Sequence, residues 1–559
     1  MAAFITTPGI THQQVHAETD RELANQASQT DATNRRPNVL VIISDDQSFP
    51  HASAYGCQAI KTPGFDVIAN SGVLFTNAIV PSPGCSPMRA AFLSGRNIWQ
   101  CGAAGTHGSY YPTDLPSFVH QLAAAGYRTG LTGKGWSPGS AKGWDHNPAG
   151  PQFDGKRTAS PPGISSRDYA ANFDAFLDTT PSDQPFCFWF GGTEPHRPYD
   201  PGLGRRMGID PESVSVPRFL PDNANVRDDI ADYMAEIQWF DTAVSKAIDR
   251  LKRDGLWNNT LVIITSDNGM PFPRAKANLY DAGIHVPLAI SWPERIKQSG
   301  TCKSVVSLLD VTATILEASG TSTIGPSKSV AAGGSSLLTS LSNPILDGET
   351  VTFESVRPAA FAGRERHSSS RFNTLSYPSR CVRTDRYLYI VNERPERWPA
   401  GTPSKWSKVF YDKHGHVVEG EPGPSHGGYH DIDASPTMRS MIEGLHQPDV
   451  AKLWAAATQR RPQEELYDLQ TDSACLVNLA SSSSHAAIRD ELAETLRRYR
   501  LETNDLRLTD PVRAEQIWEA YPRMSSLRWF AEPDWLETTA DRTGPAWLED
   551  RRPMLIDSK

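Results

Sequence analysis

The chain switches between short, unbroken apolar runs and amphipathic stretches. Val39-Leu40-Val41-Ile42-Ile43 is the first such run, and it ends in Ser44-Asp45-Asp46. Val73–Val80, Phe186–Phe190 and Leu261–Ile264 are of the same kind. A strand without polar alternation is buried on both faces, as parallel strands covered by helices are. The stretch from Asp228 to Arg253 repeats with helical spacing instead. Ile230, Tyr233, Ile237, Val244, Ala247 and Leu251 fall on one stripe, and Gly255 follows as a stop. Alternating strand and helix signals predict an α/β fold with a large, mostly parallel sheet sandwiched by helices. Ligands in such sheets sit at the carboxyl ends of the strands. Two of these runs end in carboxylates: Asp45-Asp46, and Asp267-Asn268.

The pattern changes over residues 320–350, where Ser, Gly, Thr and Ala dominate and a linker is expected. Beyond it, Tyr387–Val391 and Val409–Tyr411 read as antiparallel strands with turn residues around Gly415. His485–Leu501 reads as a helix with Ile488, Leu492, Leu496 and Tyr499 in register. The expected organisation is a disordered polar leader over 1–36 and a catalytic domain over 37–345. A smaller C-terminal α+β subdomain with an antiparallel sheet follows over 350–505. The tail over 506–559 is expected to pack on the surface as irregular structure.

Composition narrows the function classes. The net charge of −9 over 559 residues argues against a nucleic-acid binder that relies on a basic surface. No run of about 18 apolar residues predicts a membrane span. Residues 1–36 lack the apolar core of a signal peptide. The seven cysteines are scattered and odd in number, which suits neither a disulfide framework nor a zinc site.

One cysteine stands apart. In Cys85-Ser86-Pro87-Met88-Arg89, Pro87 suits the first turn of a helix, so Cys85 falls at its N-terminus with Arg89 one turn along the same face. That helix end favours an anion. Leu93-Ser94-Gly95-Arg96 follows. Asp45, Asp46, Asp267 and Asn268 offer oxygen ligands alone, which suits Ca²⁺, with Mg²⁺ second.

The C-x-P-x-R segment with the following S-G-R resembles the signature of the type I, formylglycine-dependent sulfatases. Other parts resemble that family in its order: Asn38–Asp46, Tyr127–Lys134, Pro195-His196-Arg197, Thr265-Ser266-Asp267-Asn268-Gly269 and Glu465-Leu466-Tyr467-Asp468. Met270-Pro271-Phe272-Pro273, Lys276–Tyr280 and Ser376-Tyr377-Pro378-Ser379-Arg380 are similar to the heparan N-sulfatase (sulfamidase) branch. The resemblance implies an alkaline-phosphatase-like fold and a sulfated-saccharide substrate, N-sulfoglucosamine before an O-sulfated polysaccharide. It implies that a formylglycine-generating enzyme oxidises Cys85 to Cα-formylglycine. The hydrated aldehyde would attack sulfur, and the second hydroxyl would later expel sulfate. It implies one cation on Asp45, Asp46, Asp267, Asn268 and residue 85. Arg89, Lys134 and Lys276 would stabilise charge, and His196 would serve the leaving group. Arg197, Arg364 and His367 are candidates for substrate contact, as are Trp99, Trp136 and Trp144 for stacking on sugar rings. The family also implies export or a lysosomal location.

The chain departs from the family at Trp136, where many members carry the histidine that acts as base in sulfate release. His146 and His107 are the candidates to replace it. Two other classes remain open at this point: a phosphatase or phosphonate hydrolase of the same superfamily, and an inactive homologue that binds sulfated glycans.

Overall fold

The computed structural model describes residues 36–523, apart from 322–332, 348–349, 355–356, 372–373, 404–405, 412–416 and 423–427. The leader up to residue 35, the stretches 322–332 and 348–349 of the expected linker, the turn at Gly415 and the tail beyond 523 therefore lie outside the described residues.

A ten-stranded sheet carries the fold. Its strands are β1 (Asn38–Ser44), β2 (Gly72–Ile79), β3 (Arg128–Gly133), β4 (Phe186–Gly191), β5 (Thr260–Ser266), β6 (His285–Ser291), β7 (Gly300–Cys302), β8 (Val306–Ser307), β9 (Ile345–Asp347) and β10 (Thr350–Phe353). The order is β3-β4-β1-β5-β6-β2-β7-β10-β9, with β8 paired to β2. Strands β3, β4, β1 and β5 are parallel neighbours. β6 runs antiparallel to both β5 and β2, so the sheet is mixed where the apolar run at Val73–Val80 enters it.

The unbroken apolar run of β1 has a direct cause. Val39, Val41 and Ile43 face a core shared with helix α1 (Cys85–Ser94), through Met88 and Phe92. Leu40 and Ile42 face the opposite core, with Phe173 and Phe176 of α2 (Tyr169–Asp178) and Phe240, Val244 and Leu251 of α3 (Ala224–Arg253). Side chains alternate across a strand, so helices on both faces demand an apolar residue at every position. All five are fully buried, each stabilising the fold by about 1.5–3 kcal/mol. Helix α3 starts four residues before the expected start at Asp228, capped by the Asn223 side chain.

A second sheet of four antiparallel strands has the order β11-β12-β13-β16: β11 (Ala360–Arg364), β12 (Ser379–Arg383), β13 (Tyr387–Asn392) and β16 (Glu464–Asp468). Trp406–Tyr411 (β14) and Val417–Pro422 (β15) form a separate pair. Two expectations need correction. The large sheet continues through β9 and β10, past the boundary placed at 345. The start of the tail is helical: α7 (Pro511–Ala520) buries Trp518 and Ala514 in the same core as α1. Between them lie α4 (Leu308–Ala318), α5 (Pro436–Glu443) and α6 (Ala486–Glu502); α6 buries Leu492 and Leu496 against the second sheet.

Candidate active site

The strand order assembles the site. β1 and β5 are in register from Asn38↔Thr260 to Ser44↔Ser266, so the next residues, Asp45-Asp46 and Asp267-Asn268, emerge side by side. β4 leads into the loop carrying His196, and β3 into Lys134. Gly133 permits that last turn: its φ is +74°, and a Cβ would stand 1.9 Å from the Gly191 carbonyl. Cys85 opens α1, facing the strand ends. Lys276 arrives from the loop after β5, tied to the Cys85 segment where the Ala277 amide donates to the Pro83 carbonyl (2.8 Å).

Ligand atoms of Asp45, Asp46, Cys85 and Asp267 lie within 4.8 Å of one another, all buried. Cys85 Sγ is 3.5 Å from Asp45 Oδ1 and 3.8 Å from Asp46 Oδ1. Asp46 sits at φ 76°, an uncommon backbone state, and its amide donates to Asp267 Oδ1 (3.0 Å). Asn268 Nδ2 donates to Asp46 Oδ1 (2.7 Å), while Asn268 Oδ1 is buried without a hydrogen-bond partner. An orphaned buried oxygen beside three carboxylates fits a hard, oxygen-seeking cation.

Each carboxylate also has its own cation. Lys134 Nζ is 2.5 Å from Asp45, Lys276 Nζ 2.6 Å from Asp46, and Arg89 Nε 2.8 Å from Asp267. Arg89 further donates to the carbonyls of Lys134 (2.6 Å) and Gly135 (3.0 Å), and its Nη2 stays unbonded, 4.0 Å from Asp45. Burial alone would raise the Asp45 carboxyl, but Lys134, with His196, Arg89 and Lys276, holds it far below the carboxylate range. Burial pushes the Cys85 thiol well above its ordinary value, against the pull of Lys134 and Lys276. An un-ionised thiol is a poor nucleophile, so cysteine itself is unsuited to attack here.

His196 Nδ1 bonds to the Arg197 carbonyl (2.6 Å). A carbonyl only accepts, so Nδ1 carries the proton and Nε2 faces Asp46 Oδ2 at 3.9 Å. The His196 side chain is 38% exposed, which leaves that nitrogen open to a ligand.

The structure gives two expected substrate residues other tasks. The Arg197 guanidinium is buried and bidentate to Asp229 (2.7 and 2.8 Å), bonded to the Pro271 carbonyl and stacked on Tyr199 and Phe272. Arg364 is buried against Asp431 (2.5 Å) and the Pro399 carbonyl. His367 does border the site. Its Nδ1 lies 3.1 Å from where a Cβ on Gly84 would stand, and its ring packs on His107 at 4.5 Å. His146 instead belongs to a stack with His120, which itself stacks on Trp144.

The tryptophans expected to stack on sugars have interior partners. Trp136 is buried, donates to the Ser86 carbonyl (2.9 Å) and packs on Tyr111. Trp99 donates to Thr503 and Trp144 to the Pro112 carbonyl. A carboxylate missed in the sequence stands beside the site: Asp433 Oδ2 is 3.5 Å from Lys276 Nζ.

Comparison with known proteins agrees with this geometry. A family model described as Sulfatase matches residues 37–321. Human N-sulphoglucosamine sulphohydrolase is 30% identical, over 84% of this chain and 91% of the human protein. An ulvan-active sulfatase of Formosa agariphila is 26% identical, over 83% of this chain and 80% of that protein. A structure solved in complex with its substrate D-glucosamine-2-N,6-O-disulfate superposes with a TM-score of 0.55 at 18% identity, covering 84% of this chain and 99% of that one. At that identity the likeness speaks for the fold, which is alkaline-phosphatase-like. The carboxylate cluster facing Cys85 and the match over most of the chain lead to one conclusion: the chain belongs to the sulfatase family.

Proposed function

We propose that this protein removes sulfate from a sulfated saccharide, with N-sulfoglucosamine at a chain end as the first candidate. The observation that carries the reading is the buried cluster of Asp45, Asp46, Asp267 and Cys85, with one cation on each carboxylate. Asp45, Asp46, Asp267 and Asn268 would hold one Ca²⁺. Bound Ca²⁺ and a formylglycine made from Cys85 would supply the Lewis acid and the oxygen nucleophile.

The chain's own residues do the rest. Lys134 and Lys276 direct ammonium groups at the sulfuryl oxygens, where charge develops in a site shielded from water. Arg89 ties helix α1, which carries residue 85 at its start, to Asp267. His196 Nε2 would serve the departing nitrogen or oxygen; with Nδ1–H held on the Arg197 carbonyl, it gives a proton there only from the doubly protonated imidazolium. Cys85 and Arg89 are buried, so a maturing enzyme would read this segment before the chain folds.

The similarity to the human sulphohydrolase supports an N-sulfated substrate. Trp136, standing where many members have a histidine, and the similarity to the ulvan-active sulfatase support an O-sulfated one. Sulfate release from matched N-sulfated and O-sulfated saccharides tests both readings. Release from N-sulfoglucosamine, absent in Cys85→Ala, is the expected result. Full activity in Cys85→Ala would overturn the mechanism, and peptide mass spectrometry showing unconverted Cys85 in the native host would favour a binding protein.

A further inference from the structure

Every carboxylate in the cluster has its own short cation contact, but Asp433 does not. Its Oδ2 has no hydrogen-bond partner, and Lys276 Nζ, already bonded to Asp46 at 2.6 Å, stands 3.5 Å away. The Asp433 side chain is 33% exposed, comparable with His196 at 38%. Burial alone would raise the Asp433 carboxyl, but Lys276, the largest of the charges acting on it, holds it below its ordinary range, and its partial exposure puts it at the open edge beside that lysine.

The segment holding Asp433 is pinned at both ends. Two residues before it, Asp431 is buried, with Arg364 and Arg371 each at 2.5 Å. After it, Thr437 donates from both its amide (3.2 Å) and its hydroxyl (2.6 Å) to Asp229, the partner of Arg197. Ser435 caps α5, its Oγ accepting from the Met438 amide. A short segment tied at both ends holds a partly exposed side chain in one place.

We propose that Asp433 is a specificity-determining residue, accepting hydrogen bonds from hydroxyl groups of the sugar that bears the scissile sulfate and repelling a second anionic group at that edge. The proposal rests on the sulfated-saccharide reading above. An ionised carboxylate is a strong acceptor for a hydroxyl. Beside a second sulfate it is a like charge in a partly dehydrated site, which disfavours that substrate.

The test compares wild type, Asp433→Asn and Asp433→Glu on N-sulfoglucosamine and on glucosamine 2-N,6-O-disulfate, with melting temperatures measured for all three. Asp433→Asn is expected to lose about tenfold in kcat/KM on the monosulfated sugar, mainly through KM, as a lost charged hydrogen bond would give. Its ratio of disulfated to monosulfated kcat/KM should rise by more than that factor, and Asp433→Glu should restore the wild-type ratio in part. An unchanged ratio overturns the proposal. An equal fall of kcat on both sugars overturns it too, because it assigns Asp433 to holding Lys276. A wild type that releases sulfate from neither sugar, nor from O-sulfated saccharides, refutes the functional reading and the proposal with it.

Discussion

Arg364 presents a choice between substrate contact and scaffold, and the two give different numbers. Its guanidinium shares Asp431 with Arg371, each at 2.5 Å, and the other Asp431 oxygen accepts from Ser368 and Ser370. Burial alone would raise the Asp431 carboxyl, but Arg371, with Arg364 and His367, holds it well below its ordinary range. Burial, with the charges of Arg371 and Arg461, pulls Arg364 down to about 9. Removing Asp431 therefore strands two buried guanidiniums, and Asp431→Asn should cost about 3–5 kcal/mol. Removing Arg364 leaves Asp431 satisfied by Arg371 and two hydroxyls, and it relieves repulsion between cations. Arg364→Met should cost no more than about 2 kcal/mol. Urea unfolding of both variants measures the order, and steady-state kinetics measure KM. A scaffold role predicts Asp431→Asn far less stable than Arg364→Met, with the Arg364→Met KM near wild type. A tenfold rise in KM for Arg364→Met at unchanged unfolding midpoint would refute the reasoning and return Arg364 to the substrate.

Three further outcomes follow from the geometry. Lys134→Ala, which removes the cation 2.5 Å from Asp45, should lower kcat by about 10²–10³, while Lys142→Ala on the surface should not; a Lys134→Ala kcat within threefold of wild type would count against transition-state stabilisation. Extended dialysis against a chelator should abolish sulfate release and lower the melting temperature, with Ca²⁺ restoring both; dialysed enzyme at full rate would remove the metal from the mechanism. Burial, reinforced by Glu194, raises Glu236 from 4.5 to about 9, so the folded state binds a proton that the unfolded state has released. Stability should therefore fall with rising pH, by about 1.4 kcal/mol per unit between about pH 5 and pH 9, and Glu236→Gln should lack this component; superimposable pH–stability slopes would contradict it.

The parts of the site legible in the sequence are those where chemistry and fold share one short segment. Asp45-Asp46 and Asp267-Asn268 end apolar runs, and the runs themselves say that the acids emerge at strand ends. Cys85 and Arg89 share a helix turn. The surroundings of Arg197 and Arg364 were not legible, because an arginine's role depends on whether a carboxylate meets it. Their partners Asp229 and Asp431 lie on α3 and on the segment before α5, which no local pattern connects to them. Asp433 was invisible for the same reason, since only the tertiary fold brings it beside Lys276. Strand β6 was missed because its apolar run carries a proline at Pro287, which weakens the strand signal. Trp99 and Trp136 show the opposite case: large aromatic side chains far more often fill a core than line a mouth.

Strand β1 is the first of the sheet to be made, yet both its neighbours come much later in the chain, and Asp267 lies roughly 180 residues beyond Cys85. At ribosomal speeds of about 5–20 residues per second, about 10–35 s pass between the two. For that interval the pocket that will enclose Cys85 has no far wall. The delay built into the strand order thus sets a clock: substitutions or codon changes that alter elongation between positions 85 and 267 should change the fraction of chains converted at Cys85, without touching any residue of the site.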